Sequence, residues 1–138
     1  MQGSDKNSAE QMLWDYRQNI RKIYELREMY ELLKSVRGQD YGTHAVNGVS
    51  DPVFNIVNTK LRLEKKIENL EKKIRAVENL IDELPIDELE TYQMSMILTW
   101  RYINHMDTQT VIRVLGLTKT TYYRRKNALI VRAEKYIR

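Results

Sequence analysis

The sequence predicts an all-α protein, with an N-terminal helical hairpin or coiled-coil arm followed by a C-terminal helix-turn-helix domain. Three observations carry that expectation. Apolar residues recur in steps of three and four along most of the chain. Glycine and proline are scarce, five and two in 138 residues, and three of the glycines (Gly38, Gly42, Gly48) gather in one stretch. The last third sets a lone glycine between two short amphipathic patterns. Leu, Glu, Lys, Arg, Ile and Met dominate the rest and are mostly good helix formers. At 42% hydrophobic content the chain can bury one modest core or two small ones, so a single compact module with an extension is expected.

The first eight residues are polar and are read as a flexible terminus. A first helix then follows the seam Met12, Tyr16, Asn19, Ile23, Leu26, Tyr30 and Leu33, widened by Leu13 and Ile20 toward more than one neighbour. A Gly-rich loop is expected over 35–51, long for a connection inside a compact domain. Ser50 or Asp51 can cap a second helix, and Pro52 suits its first turn. From Val53 to Leu84 that helix would be about 48 Å long.

Its apolar positions, Leu63, Ile67, Leu70, Ile74, Val77, Ile81 and Leu84, form an unbroken heptad seam. With Ile67 at position a, the e positions are Glu64, Glu71 and Glu78, and the g positions include Lys66 and Lys73. Two partners fit this pattern. The helix either pairs in parallel with its copy, or folds back on the first helix as an antiparallel hairpin. Dimerisation through an exposed helical face is expected in both cases, which makes 9–84 a dimerisation arm.

Pro85 ends the heptads, and a further helix restarts with Asp87 as N-cap and Glu90 three residues on. Leu89, Met96, Trp100 and Ile103 mark its expected buried side, with Ile97 beside them. The carboxylates of Asp82, Glu83, Asp87, Glu88 and Glu90 are read as opposing the helix dipole and keeping the junction solvated.

From Asp107 onward, Thr108 can cap a short helix with Val111, Ile112 and Leu115 inside. Gly116 follows, where a chain leaving a helix needs a left-handed residue. Thr118 can cap the next helix, whose inner face would be Tyr122, the Lys126 stem, Leu129, Ala133 and Ile137. Two helices joined by a three-residue turn with glycine describe a helix-turn-helix, which assigns 86–138 to that domain. The outer face of its second helix presents Lys119, Thr120, Tyr123, Arg124 and Asn127. Arginine reaches guanine O6 and N7, asparagine reaches adenine N6 and N7, and threonine meets an edge or a thymine methyl. Charge points the same way. Residues 107–138 hold eight basic and two acidic side chains, a net +6 against +4 for the whole chain, which leaves −2 elsewhere.

Other function classes lose ground. With no cysteine there is no disulfide framework, thiolate nucleophile or zinc–thiolate site, which fits a reducing cytoplasm. The two histidines, His44 and His105, fall in or beside loops, and no cluster has metal-ligand spacing. Phosphate-binding glycine motifs are absent. No enzyme activity, cofactor, metal or small-molecule ligand is expected. No apolar run approaches the roughly 18–20 residues of a membrane span, so no membrane association is expected.

The stretch LTWRYINHMDTQTVIRVLGLTKTTYYRRKNALIVRAEKYI resembles the sigma-70 region 4-like helix-turn-helix of phage late-gene transcriptional regulators, the RinA/ArpU-like group. LGLTKTTYYRRKNAL matches that group's glycine turn, Tyr-Tyr-Arg and basic run most closely. The resemblance implies a phage or prophage activator of packaging, morphogenesis or lysis genes, acting in the cytoplasm of a bacterial host. It implies that Lys119, Thr120, Tyr123, Arg124 and Asn127 read DNA, with Arg125 and Lys126 at phosphates. The expected partners are double-stranded promoter DNA, a second copy of the chain and bacterial RNA polymerase. The competing expectation is a coiled-coil interaction protein or anti-regulator that binds another protein rather than DNA.

Overall fold

The computed structural model describes residues 2–36 and 52–137. Among the described residues all regular structure is helical: α1 (Gln2–Val36), α2 (Pro52–Glu83), α3 (Leu89–Ile97), a π-helical segment (Leu98–Ile103), α4 (Thr108–Leu115) and α5 (Lys119–Glu134). The all-α expectation holds. α1 begins at Gln2, within the stretch read as a flexible terminus, and α2 matches the expected helix to within one residue at each end. Most of the Gly-rich loop, with Gly38, Gly42, Gly48, His44 and the candidate caps Ser50 and Asp51, lies outside the described residues.

The chain forms two compact units, 19–72 and 1–18 with 73–138. In the 19–72 unit, α1 and α2 run antiparallel within the chain. Arg27 Nη2 donates to Glu71 Oε1 at 2.9 Å, and one turn along α1 the Tyr30 hydroxyl donates to Glu64 Oε1 at 2.7 Å. Ile23, Leu26 and Leu63 are buried between them, as the heptad seam requires. Two e-position glutamates thus take partners on α1 of the same chain. The remaining one, Glu78, accepts the Tyr16 hydroxyl in the other unit, where burial and that carboxylate raise the phenol's pKa.

The unit of 1–18 and 73–138 has a continuous core. Ala9, Met12 and Leu13 from α1, Ala76, Val77 and Leu80 from α2, and Leu84 just beyond its end enclose Met94, Ile97, Leu98, Tyr102 and Val111. Tyr122, Leu129, Ile130 and Ala133 of α5 complete it. Fully burying one such leucine or valine is worth roughly 1.5–3 kcal/mol. Pro85 ends a helix, and packing continues across it.

Three expectations need correction here. Leu89, placed in the core by spacing, is 69% exposed, whereas Met94, Leu98 and Tyr102 are buried. The π-helical turns widen the repeat, and the buried positions step by four from Met94 to Leu98 to Tyr102. The α3 cap is Glu88, not Asp87, and its side chain makes no capping bond. Thr91 fastens the corner instead, its hydroxyl donating to the Pro85 carbonyl at 2.5 Å. The α4 cap is Asp107 rather than Thr108, for a reason found in the geometry of the next turn.

Candidate nucleic-acid interface

Asp107 has extended backbone, and its Oδ1 accepts the Thr110 amide at 2.7 Å while Oδ2 accepts the Thr110 hydroxyl at 3.0 Å. Both bonds favour the carboxylate and hold its pKa below the ordinary aspartate value. Thr108, displaced from that role, accepts Arg101 Nε at 3.0 Å. Arg101 also donates to the Met106 carbonyl at 3.0 Å, and its guanidinium lies 4.5 Å from the Trp14 ring centroid. Between them His105 adopts a left-handed φ of 58° and stacks on Trp14 at 5.3 Å. The entry to α4 is therefore clamped from α1 and the π segment together.

α4 ends as expected at Gly116, with φ 66°. Gly116 N–H bonds to the Arg113 carbonyl and Leu117 N–H to the Ile112 carbonyl, both at 3.1 Å. This paired pattern is a Schellman motif, and it needs a left-handed residue at Gly116. Thr118 then caps α5, accepting the Thr121 amide at 3.1 Å. α5 is anchored by Tyr122, Leu129 and Ala133, each 0% exposed. Burial raises the pKa of the Tyr122 phenol. Loose hydrogen bonding from Thr108 and Arg101 opposes part of that shift, and the hydroxyl has no partner at close hydrogen-bonding geometry among the described residues.

Five of the seven expected contact residues, Lys119, Thr120, Tyr123, Arg124 and Asn127, are exposed. Tyr123 meets Tyr122 edge-on at 5.1 Å, so the buried ring supports the exposed one. Two more residues belong with this group although they were not among the expected contacts. Val131, four residues after Asn127, is 54% exposed, and Arg113 of α4 is exposed beside the turn.

The other two expected contacts are engaged within the chain. Arg125 Nε donates to Gln93 Oε1 at 2.9 Å and its Nη1 lies 3.8 Å from Glu90 Oε1. Its side chain is only 16% exposed. Lys126 Nζ lies 3.4 Å from Glu10 Oε2 and 5.6 Å from the Tyr123 ring centroid. Lys135 is tied to Glu83, whose Oε2 also accepts the Tyr136 hydroxyl. Carboxylates on α1, α2 and α3 thus neutralise part of the basic run, while Arg113, Lys119, Arg124 and Arg132 make no ion pair among the described residues.

The family model described as a protein of unknown function, DUF1492, matches residues 39–134, a span that runs through α2 to α5. The chain belongs to the DUF1492 family. No curated protein and no solved structure matches it. Among the described residues of this DUF1492 chain, no group of His, Cys, Asp or Glu could hold a metal ion. Nor is any described helix long and apolar enough to cross a membrane.

Proposed function

We propose that the chain is a sequence-specific double-stranded DNA-binding transcriptional regulator that lays α5 in the major groove. The observation that carries this is the outer face of α5. Thr120, Tyr123, Arg124 and Asn127 stand exposed together on a helix whose opposite side is buried at Tyr122, Leu129 and Ala133 and whose start is fixed by Gly116 and Thr118. Arg124 and Asn127 are suited to purine edges, Val131 and Thr120 to thymine methyls. Lys119 and Arg113 supply phosphate contacts beside the turn. Arg125 and Lys126 act chiefly in holding α5 in place.

The resemblance to phage late-gene regulators makes the gene set late functions of a phage or prophage, with RNA polymerase as the machinery to be contacted. In this reading the 19–72 unit supports a homodimer whose two copies of α5 enter successive major grooves, about 34–36 Å apart.

Selection from a random duplex library at near-physiological salt tests the proposal. The full chain should enrich one motif, and a variant carrying K119A, R124A and N127A should enrich none while keeping its helical circular dichroism. Equal recovery of all sequences by both proteins refutes sequence reading.

A second reading, a coiled-coil interaction protein or anti-regulator, draws on the apolar residues exposed in the 19–72 unit: Tyr24, Met29, Leu32, Val57 and Leu61. It predicts no enriched DNA motif and no steep salt dependence of duplex binding.

A further inference from the structure

Glu10 joins α1 to both the π segment and α5. Its Oε2 accepts the Tyr102 hydroxyl at 2.7 Å and lies 3.4 Å from Lys126 Nζ. Tyr102 is 0% exposed, so its hydrogen bond fixes the carboxylate in place. The Glu10 and Lys126 side chains are 27% and 26% exposed, which shields their attraction from solvent more than at an open surface. On its other side the Lys126 ammonium faces the ring of Tyr123, a residue of the exposed outer face. A phosphate oxygen approaching Lys126 must therefore compete with a carboxylate that is already anchored.

We propose that Glu10 is a positioning residue that withholds Lys126 from the nucleic-acid backbone and keeps its ammonium against Tyr123. The proposal rests on the DNA-binding reading above and deepens it. The amino-terminal part of α1 sets how many α5 cations meet phosphate. Arg125 and Lys135 are also neutralised, by Glu90 and Glu83, but Lys126 is the one whose ammonium adjoins an exposed reading residue. Here the carboxylate subtracts one cation from the phosphate footprint and fixes the neighbour of Tyr123.

The test uses the full chain and the variant E10Q, whose amide oxygen still accepts from Tyr102 but carries no charge. Without DNA, lysines are acylated by a limiting amount of an N-hydroxysuccinimide ester and quantified residue by residue by mass spectrometry. Lys126 should react several-fold more slowly than exposed Lys119 in the parent protein, and E10Q should raise the Lys126 rate alone.

With a random-sequence duplex, the plot of log affinity against log salt should steepen by about 0.9 in E10Q, the value of one added phosphate contact. The affinity ratio of E10Q to parent should then fall about 3.5-fold between roughly 50 and 200 mM salt. K126M, which does not depend on how E10Q folds, should leave the parent's slope unchanged and should abolish the effect of E10Q.

An unchanged Lys126 acylation rate in E10Q, or a shallower slope in K126M alone, overturns the proposal. So does a slope change of equal size with and without Lys126. A raised acylation rate with no duplex binding by either protein overturns the DNA-binding reading instead, and removes phosphate from the role of Glu10 while leaving the ion pair intact.

Discussion

Two tyrosines of the 1–18 and 73–138 unit are each 0% exposed, and deleting the same oxygen atom from them should change stability in opposite directions. The Tyr102 hydroxyl donates to the Glu10 carboxylate at 2.7 Å, and burial and that bond push its pKa far upward. A hydrogen bond to a charged group contributes about 1.5–3 kcal/mol, so Y102F should destabilise by about 2 kcal/mol. The Tyr122 hydroxyl is buried with no close hydrogen-bond partner among the described residues, only the loose approach of Thr108 and Arg101. A buried, unsatisfied hydroxyl costs about 1–3 kcal/mol, so Y122F should stabilise by about 1 kcal/mol while keeping the ring that supports Tyr123.

With an unfolding entropy near 2.1 cal/mol/K per residue, 1 kcal/mol moves the Tm of a chain this long by about 3–4 °C. The two variants should therefore melt about 10 °C apart. Circular dichroism at 222 nm during heating measures this directly, and urea midpoints check that it reflects free energy. If Y122F were destabilised as much as Y102F, the Tyr122 hydroxyl would have to hold a bond such as one to solvent, and the contrast drawn between the two sites would be wrong.

G116A should cost about 1 kcal/mol, because φ is 66° while a new Cβ would meet nothing within 4 Å, leaving backbone strain as the whole cost. G116N should recover part of that loss in the same melting assay. D107A removes the α4 cap and should lower Tm at neutral pH. The Asp107 pKa is depressed in the folded chain, so its contribution is present above the unfolded value near pH 4 and is lost as pH falls through the folded value. The Tm difference between D107A and the parent should accordingly close in acid. R124A should weaken binding to the selected motif by about 1–3 kcal/mol and relax preference at one base pair, measured by competition binding. A uniform loss across all sequences would make Arg124 a phosphate contact.

Helical register was legible wherever a regular repeat ran unbroken. The α1 seam through Ile23 and Leu26, the α2 seam through Leu63 and Val77, and the α5 face of Tyr122, Leu129 and Ala133 are all buried as spacing requires. Gly116 and Thr118 were legible because turn chemistry is local. Leu89 was misplaced because it opens α3, where a seam extended back from Met96 and Trp100 no longer meets the core, and the buried positions are Thr91, Met94, Leu98 and Tyr102.

The cap at Asp107 needed knowledge of Arg101, which occupies the Thr108 hydroxyl from seven residues away. Least legible were the fates of Arg125 and Lys126. Their partners, Gln93, Glu90 and Glu10, lie between 32 and 116 residues away in the chain, so composition sees cations where folding has placed ion pairs.

The π segment Leu98–Ile103 also has an evolutionary corollary. A π turn carries about one residue more than an α turn over a similar rise, and so absorbs an insertion while the helix on either side keeps its facing. Removing one residue between 98 and 103 should regularise the helix and leave α4 and α5 aimed as they are. Removing one from α5 would carry Arg124 and Asn127 around the axis by about 100°. Related chains that differ by a single residue in length are therefore best aligned with the gap at this turn, where length can drift without disturbing the exposed face of α5.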